Sequence, residues 1–229
     1  MEKLFFAEND LLTLSVFPVG ALQVNCTVIC AKKSKHAIVF DPGDNLADIN
    51  AILSQLKINK IEWLIHTHAH FDHIGLASNL KQKYQAQVAL HEKDKELYAN
   101  IAEQSNMFGL RLDPPTQVDS YLTETTILET PDPDLGDFLS RLKIIATPGH
   151  SPGSTCFFSE DFTSPLLIAG DTLFFHSVGR TDLFGGNYLQ IVYSIKGKLF
   201  TLPGATQVIC GHGLMTLISD EIVSNPFIR

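Results

Sequence analysis

The chain has 229 residues, 45% of them hydrophobic and 18% charged, with 25 acidic against 17 basic side chains and a formal charge of -8. A chain of this length buries roughly 70% of its unfolded surface, so one core can form without disulfide staples, and the composition excludes a largely disordered protein. The acidic balance and the lack of any run of Lys or Arg exclude the electrostatic footprint of a nucleic-acid binder, and no apolar run approaches a membrane span.

These properties predict a single domain over residues 1–229. The first residues, Met1 to Phe6, meet Glu8 and Asp10 before any long apolar run develops, so a cytoplasmic location is expected by default. Cys26, Cys30, Cys156 and Cys210 form no CxxC pair and lie mostly in apolar, strand-like segments. Buried free thiols of a reducing compartment are the expected reading.

Strand signals run over Leu12 to Phe17, Asn25 to Ala31 and His36 to Phe40, the last ending in the turn Asp41-Pro42-Gly43-Asp44. Leu46 to Leu56 has helical spacing, with Ile49, Ile52, Leu53 and Leu56 on one face and Asp44 or Asn45 as its cap. The β-prone segment Ile61 to Ile65 then leads into His68-Ala69-His70-Phe71-Asp72-His73, after which a helix is expected to run to Tyr84. Four imidazole and carboxylate groups so close together would be costly to bury without a cation, which makes this a metal site of a catalytic kind. Residues two apart at a strand end face the same way, so His68 and His70 can share one ion. Asp72 and His73, at the helix entrance, point elsewhere and can serve a second. Gly75 lets the helix backbone approach the turn closely.

A short strand follows at Gln87 to Leu90 and a helix at Glu92 to Glu103. Pro114, Pro115, Pro131 and Pro133 make Met107 to Asp137 read as a long loop, with strands near Gln117 to Leu122 and Thr126 to Glu129. Strands are predicted at Arg141 to Ala146, Thr155 to Ser159, Leu166 to Ala169 and Gln207 to Cys210, and helices at Tyr188 to Leu199 and Thr216 to Val223. Three of these strands end in a ligand-type residue beside a glycine: Gly149-His150, Gly170-Asp171 and Gly211-His212. With the first cluster they make five histidines and two aspartates, enough for two adjacent ions. Asp41 is either an acceptor for a ligating imidazole or a cap of its own turn. His36, His66, His91 and His176 read as structural histidines, and Phe157, Phe158, Phe174 and Phe175 as core. Met107-Phe108-Gly109-Leu110 either walls a cleft or packs on itself.

In the order His68-Ala69-His70-Phe71-Asp72-His73, His150, Asp171, His212, the chain resembles the metallo-β-lactamase superfamily. Within it, the chain is similar to the glyoxalase II (hydroxyacylglutathione hydrolase) group, in the short bacterial form without the helical C-terminal domain. Thr147-Pro148-Gly149-His150-Ser151-Pro152-Gly153-Ser154, Gly170-Asp171-Thr172-Leu173-Phe174, Gly179-Arg180-Thr181-Asp182 and Asn225-Pro226-Phe227 carry that likeness. The resemblance implies an α/β fold, an αββα sandwich of two mixed sheets flanked by helices. It implies that His68, His70 and His150 hold one metal, that Asp72, His73 and His212 hold another, and that Asp171 bridges them. Zn2+ is the first choice, with Fe2+ or Mn2+ as alternates. Arg180 lies where longer members have a lysine that contacts glutathione, whereas the family tyrosine two positions on is Asp182 here.

The implied reaction is hydrolysis of a small-molecule thioester, S-lactoylglutathione in the first instance, by a hydroxide bridging the two metals and oriented by Asp72 and Asp171. No G-x-S-x-G elbow offers a side-chain nucleophile. A mononuclear iron persulfide dioxygenase of the same superfamily is the alternative, using His68, His150 and Asp171. Gly211-His212-Gly213 resembles the hydrolase ending rather than the dioxygenase one.

Overall fold

The computed structural model describes residues 2–228, so Met1 and Arg229, the ends of the span read above as one domain, lie outside the described residues. Its first sheet is built in chain order from β1 (Phe5–Glu8), β2 (Leu12–Val19), β3 (Val24–Ala31), β4 (His36–Phe40), β5 (Lys60–Ile65), β6 (Gln87–His91) and β7 (Ser120–Leu122). The first four strands pair antiparallel and the last four parallel, so the sheet is mixed. Parallel neighbours need crossovers. Helix α1 (Leu46–Gln55) makes the first; α2 (Phe71–Ile74) and α3 (Ala77–Tyr84) make the second; α4 (Lys95–Ala99) and α5 (Ile101–Asn106) lie in the third.

Helix α6 (Pro133–Arg141) leads to the second sheet, in which β8 (Lys143–Ala146), β9 (Thr155–Ser159) and β10 (Leu166–Gly170) are antiparallel neighbours. A two-stranded hairpin, β11 (Leu173–Phe174) and β12 (Ser177–Val178), and helix α7 (Tyr188–Gly197) precede β13 (Gln207–Cys210), which pairs parallel with β10. Strand β14 (Thr216–Leu217) closes the far edge, followed by α8 (Ile218–Ser224). Among the described residues no helix is long and apolar enough to cross a membrane.

The period-2 alternation of the strands builds the layers. In β4, Ile38 and Phe40 face the core between the sheets, while Ala37 and Val39 face Ile49, Ile52 and Leu53 of α1 and Leu80 of α3. In β10, Leu166 and Ile168 face the same central core, and Leu167 and Ala169 face Ile191 and Ile195 of α7. Phe40 and Phe157 meet across the middle with ring centroids 5.1 Å apart. The result is the expected αββα sandwich. One irregularity sits in β5, where the pairing with β4 skips Glu62, so that Ile61 and Leu64 share the helix-facing side.

Several expected elements differ. The helix predicted to run unbroken to Tyr84 is two helices, because Gly75 lies against the carbonyls of Phe71 and Gly43, and the Leu76 amide donates to Gly43 O at 3.0 Å. The stretch Glu92 to Glu103 likewise divides at Asn100 into α4 and α5, after a 3-10 turn at Glu92–Asp94. Thr126 to Glu129 is not a strand. Helix α6 occupies part of the segment read as loop, since Pro133 sits in the first turn, where a missing N–H costs nothing, and Asp132 caps Asp134 N and Leu135 N. Phe175 is 47% exposed rather than core, while Phe157 and Phe158 are buried on opposite faces of β9. All four cysteines are buried free thiols, as expected.

Candidate metal centre

The predicted ligands converge at one edge of the sandwich, beyond the C-terminal ends of strands from both sheets. His68 and His70 follow β5, His150 follows β8, Asp171 follows β10 and His212 follows β13. The edge is sewn together by backbone. Thr155 N donates to Thr67 O at 2.8 Å, Asn25 N to Gly211 O at 2.7 Å, and Gly211 N to Gly170 O at 2.7 Å. Close approach explains the glycines here. A Cβ on Gly211 would strike the Asp171 carboxylate, and Gly149, at φ +143°, would put one 2.3 Å from the Ile191 amide of α7.

Two groups of three donors result, with Asp171 between them. His68 Nε2 and His70 Nδ1 are 3.0 Å apart, and His150 Nε2 lies 3.2 Å from the first and 2.9 Å from the second. On the other side, His73 Nε2 is 3.3 Å from His212 Nε2, which is 3.3 Å from Asp72 Oδ2. Asp171 presents Oδ1 to His73 Nε2 at 3.4 Å and Oδ2 to His150 Nε2 at 3.5 Å and His212 Nε2 at 3.7 Å. Donor atoms of His68, His70 and His150, and separately of Asp72, His73 and His212, all fall within 4.8 Å of one another.

The far side of each ring decides what the near side offers. His150 Nδ1 donates to Arg180 O at 2.8 Å and His212 Nδ1 to Leu22 O at 2.8 Å, because a carbonyl can only accept. His73 Nδ1 donates to Asp41 Oδ2 at 2.9 Å. Thr67 Oγ1 gives its own proton to Asp41 Oδ2 at 2.7 Å and therefore accepts from His68 Nδ1 at 3.0 Å. In the neutral rings, four Nε2 lone pairs thus point inward at one another, and Asp171 Oδ1 is buried without a hydrogen-bond donor. Lone pairs and a bare carboxylate oxygen packed at these distances repel unless positive charge lies among them. The donor set of imidazole and carboxylate fits Zn2+, Fe2+ or Mn2+.

Electrostatics divides the two groups. Burial, reinforced by His150, pushes His70 down to about 3, and burial with the neighbouring imidazoles of His73 and His150 holds His68 well below its ordinary value. Burial also disfavours charge on His73, but Asp41, Asp171 and Asp72 overcome it and hold the ring well above its ordinary value. Burial opposes charge on His212 as well, but Asp72 and Asp171 together raise it. Burial disfavours charge on Asp72 and Asp171, but His73 and His212, joined at Asp171 by His150, together overcome it and lower both carboxyls.

Asp41 does not act as a simple turn cap; it bonds both Thr67 and His73, while Asn45 caps α1. Arg180 reaches this edge through its carbonyl, and its guanidinium grips Asp182 with two bonds, Nε to Oδ1 at 2.7 Å and Nη2 to Oδ2 at 2.8 Å. Of the histidines read as structural, His91 caps its turn through Lys93 N, and His36 lies 2.8 Å from Glu62. His66 is fully buried with neither ring nitrogen hydrogen-bonded. Phe108 packs against Phe71, the tilted rings 4.9 Å apart between centroids, so its loop lies beside the turn that carries the candidate ligands. Sequence reasoning missed Asp94 and Gln104. Both hold the turn backbone: Gln104 Oε1 accepts from Phe71 N and its Nε2 donates to Ala69 O, each at 3.1 Å. Neither carries a local signal, since Asp94 stands in the charged run Glu92-Lys93-Asp94-Lys95.

Known proteins resemble this chain in sequence and fold. The chain is 32% identical over 223 residues to hydroxyacylglutathione hydrolase GloC of Haemophilus influenzae, covering 95% of this chain and 99% of that one. A solved B3 metallo-beta-lactamase, BLEG-1, matches with a TM-score of 0.82 at 32% identity, over 94% of this chain and 99% of that one. TTHA1623, solved in a di-iron-bound form, matches at 0.79 and 31%, over 92% and 99%. The family model of the metallo-beta-lactamase superfamily matches residues 19–212, and the chain belongs to that superfamily of hydrolytic enzymes.

Proposed function

We propose that this protein is a metal-dependent thioester hydrolase of the hydroxyacylglutathione hydrolase type, cleaving S-lactoylglutathione and related hydroxyacyl thioesters to the free acid and the thiol. The observation that carries this reading is the complete second donor group, Asp72, His73 and His212, joined to the first by Asp171. A mononuclear dioxygenase would leave that group idle. On this reading His68, His70 and His150 hold one divalent cation, Asp72, His73 and His212 hold another, and Asp171 reaches both. Zn2+ is the first expectation, and the same donors accept Fe2+ or Mn2+. The likeness to GloC supports the substrate class, and the di-iron form of TTHA1623 supports a pair of ions. Residues 1–229 then act as one domain on a small molecule.

When bound, such cations supply Lewis acidity that polarises a carbonyl and lowers the pKa of water towards about 7. The protein's own groups do the rest. Asp41 and the carbonyls of Arg180 and Leu22 keep the ring protons on Nδ1, so that Nε2 of His73, His150 and His212 remains free to ligate. The ionised carboxylates of Asp72 and Asp171 flank the gap between the donor groups and orient the attacking water. Arg180 exchanges Asp182 for a substrate carboxylate, which its planar fork can take bidentately. No thiol competes as nucleophile: burial pushes Cys156 up to about 11 and Cys210 up to about 12.

The likeness to BLEG-1 favours a second reading, β-lactam hydrolysis, which asks the same site to attack an amide carbonyl. The deciding experiment is turnover of S-D-lactoylglutathione and of a β-lactam by the purified protein, with metal content measured on the same sample. Metal-dependent thioester cleavage is the expected result. Lactam turnover alone replaces it with the second reading. A single iron, no hydrolysis, and oxygen uptake with glutathione persulfide would make the protein a dioxygenase.

A further inference from the structure

Taking His68, His70 and His150 as ligands of one cation, as in the function proposed above, we propose that Asp94 is the positioning residue that sets the metal affinity of that group. The three imidazoles come from turns on different sheets, His68 and His70 after β5 and His150 after β8. Their convergence therefore depends on what holds the two turns together. Asp94 stands between them with no solvent exposure. Its Oδ2 accepts from Ala69 N, between the two ligands of the first turn, at 3.0 Å. Its Oδ1 accepts from Gly153 N, three residues beyond His150, at 2.6 Å. Ser151 Oγ, beside His150, adds a third bond to Oδ2 at 2.7 Å. The fit is close enough to require a glycine, since a Cβ on Gly153 would lie 2.7 Å from Asp94 Cγ.

Both backbone donors need an acceptor, and they approach different oxygens of one carboxylate. Only a carboxylate offers two acceptor oxygens in that geometry; the amide of asparagine offers one oxygen and one donor. Asparagine at this place fills the same volume but can bind one turn and must oppose the other with N–H against N–H. Gln104 cannot substitute, because it bonds Ala69 O and Phe71 N, both in the first turn. The carboxylate that bonds a ring of the second donor group is Asp41, on His73. Loss of the Asp94 bridge therefore acts on the first group and spares the second.

The test is a Co2+ titration of the metal-free protein, following the d–d bands of each site, with His70→Ala and His212→Ala assigning bands to the first and second groups. Asp94→Asn is expected to weaken the first site about ten- to hundredfold and to leave the second within about twofold. Ser151→Ala, which keeps both backbone bonds, stays close to the wild type. A folded Asp94→Asn protein with an unchanged first site, or with both sites weakened alike, overturns the inference. Amide exchange in the metal-free wild type gives an answer that needs no variant: Ala69 and Gly153 N–H are expected to be protected, and rapid exchange at both overturns the bridge. If the wild type shows no Co2+ band that His70→Ala removes, the ligand assignment itself fails, an outcome distinct from the others.

Discussion

Replacing Asp41 by asparagine removes a charge and no volume, and the contacts of this residue dictate the result. Oδ1 accepts from Thr67 N at 2.9 Å; Oδ2 accepts from Thr67 Oγ1 at 2.7 Å and from His73 Nδ1 at 2.9 Å. An amide with its oxygen kept on Thr67 N turns its NH2 towards His73 Nδ1. That nitrogen must then accept, and the ring proton moves to Nε2, the atom facing Asp72, Asp171 and His212. A protonated Nε2 cannot ligate. The lost bond is buried and charge-assisted, worth about 1.5–3 kcal/mol. At about 1.4 kcal/mol per factor of ten, metal affinity of the Asp72, His73 and His212 group should fall roughly ten- to hundredfold. Titration of the metal-free protein, with a thermal melt to confirm folding and thioester turnover on the same samples, measures it. A folded Asp41→Asn protein that fills both sites at wild-type affinity would refute the tautomer argument.

Proton competition sets an order of metal loss. Protons displace metal from a raised imidazole at higher pH than from a depressed one, so His73 and His212 should release their ion first as pH falls, while His68 and His70, with His70 at about 3, retain theirs. Dialysis at stepped pH followed by metal analysis checks this, and the reverse order would contradict it. Asp182→Asn frees the Arg180 guanidinium; KM for a glutathione thioester should then drop with kcat unchanged, and KM for a neutral thioester should not move. An unchanged KM for the anionic substrate would remove Arg180 from the binding site. Phe157→Ala empties a 1%-exposed position whose ring meets Phe40 edge-on, so it should cost about 3–5 kcal/mol in chemical denaturation, and a loss below about 1 kcal/mol would mean the two sheets repack.

The sequence by itself determined the candidate metal-binding residues and most of the strands. Metal-binding side chains beside glycines at strand ends are local patterns, and the alternation in segments such as His36 to Phe40 states which residues face which layer before any partner is known. Breaks and caps were partly hidden. Pro133 looks like a breaker, although at a helix start it is a former, and Gly75 interrupts a helix only because the Gly43 carbonyl waits there.

What only the tertiary structure decided is which polar groups aim the candidate metal-binding side chains. Thr67, Asp94 and Gln104 are ordinary polar residues in sequence, and Asp41 reads there equally as a turn cap or as the partner of an imidazole. They matter because folding brings each within hydrogen-bond reach of a turn or ring up to 59 positions away and removes the water that would otherwise satisfy both. The same holds for the split between depressed and raised histidines and for the buried Asp171 oxygen between them. Burial and hydrogen-bond geometry are properties of neighbours in space, and a hydrophobic pattern records which residues are buried without recording what they are buried against.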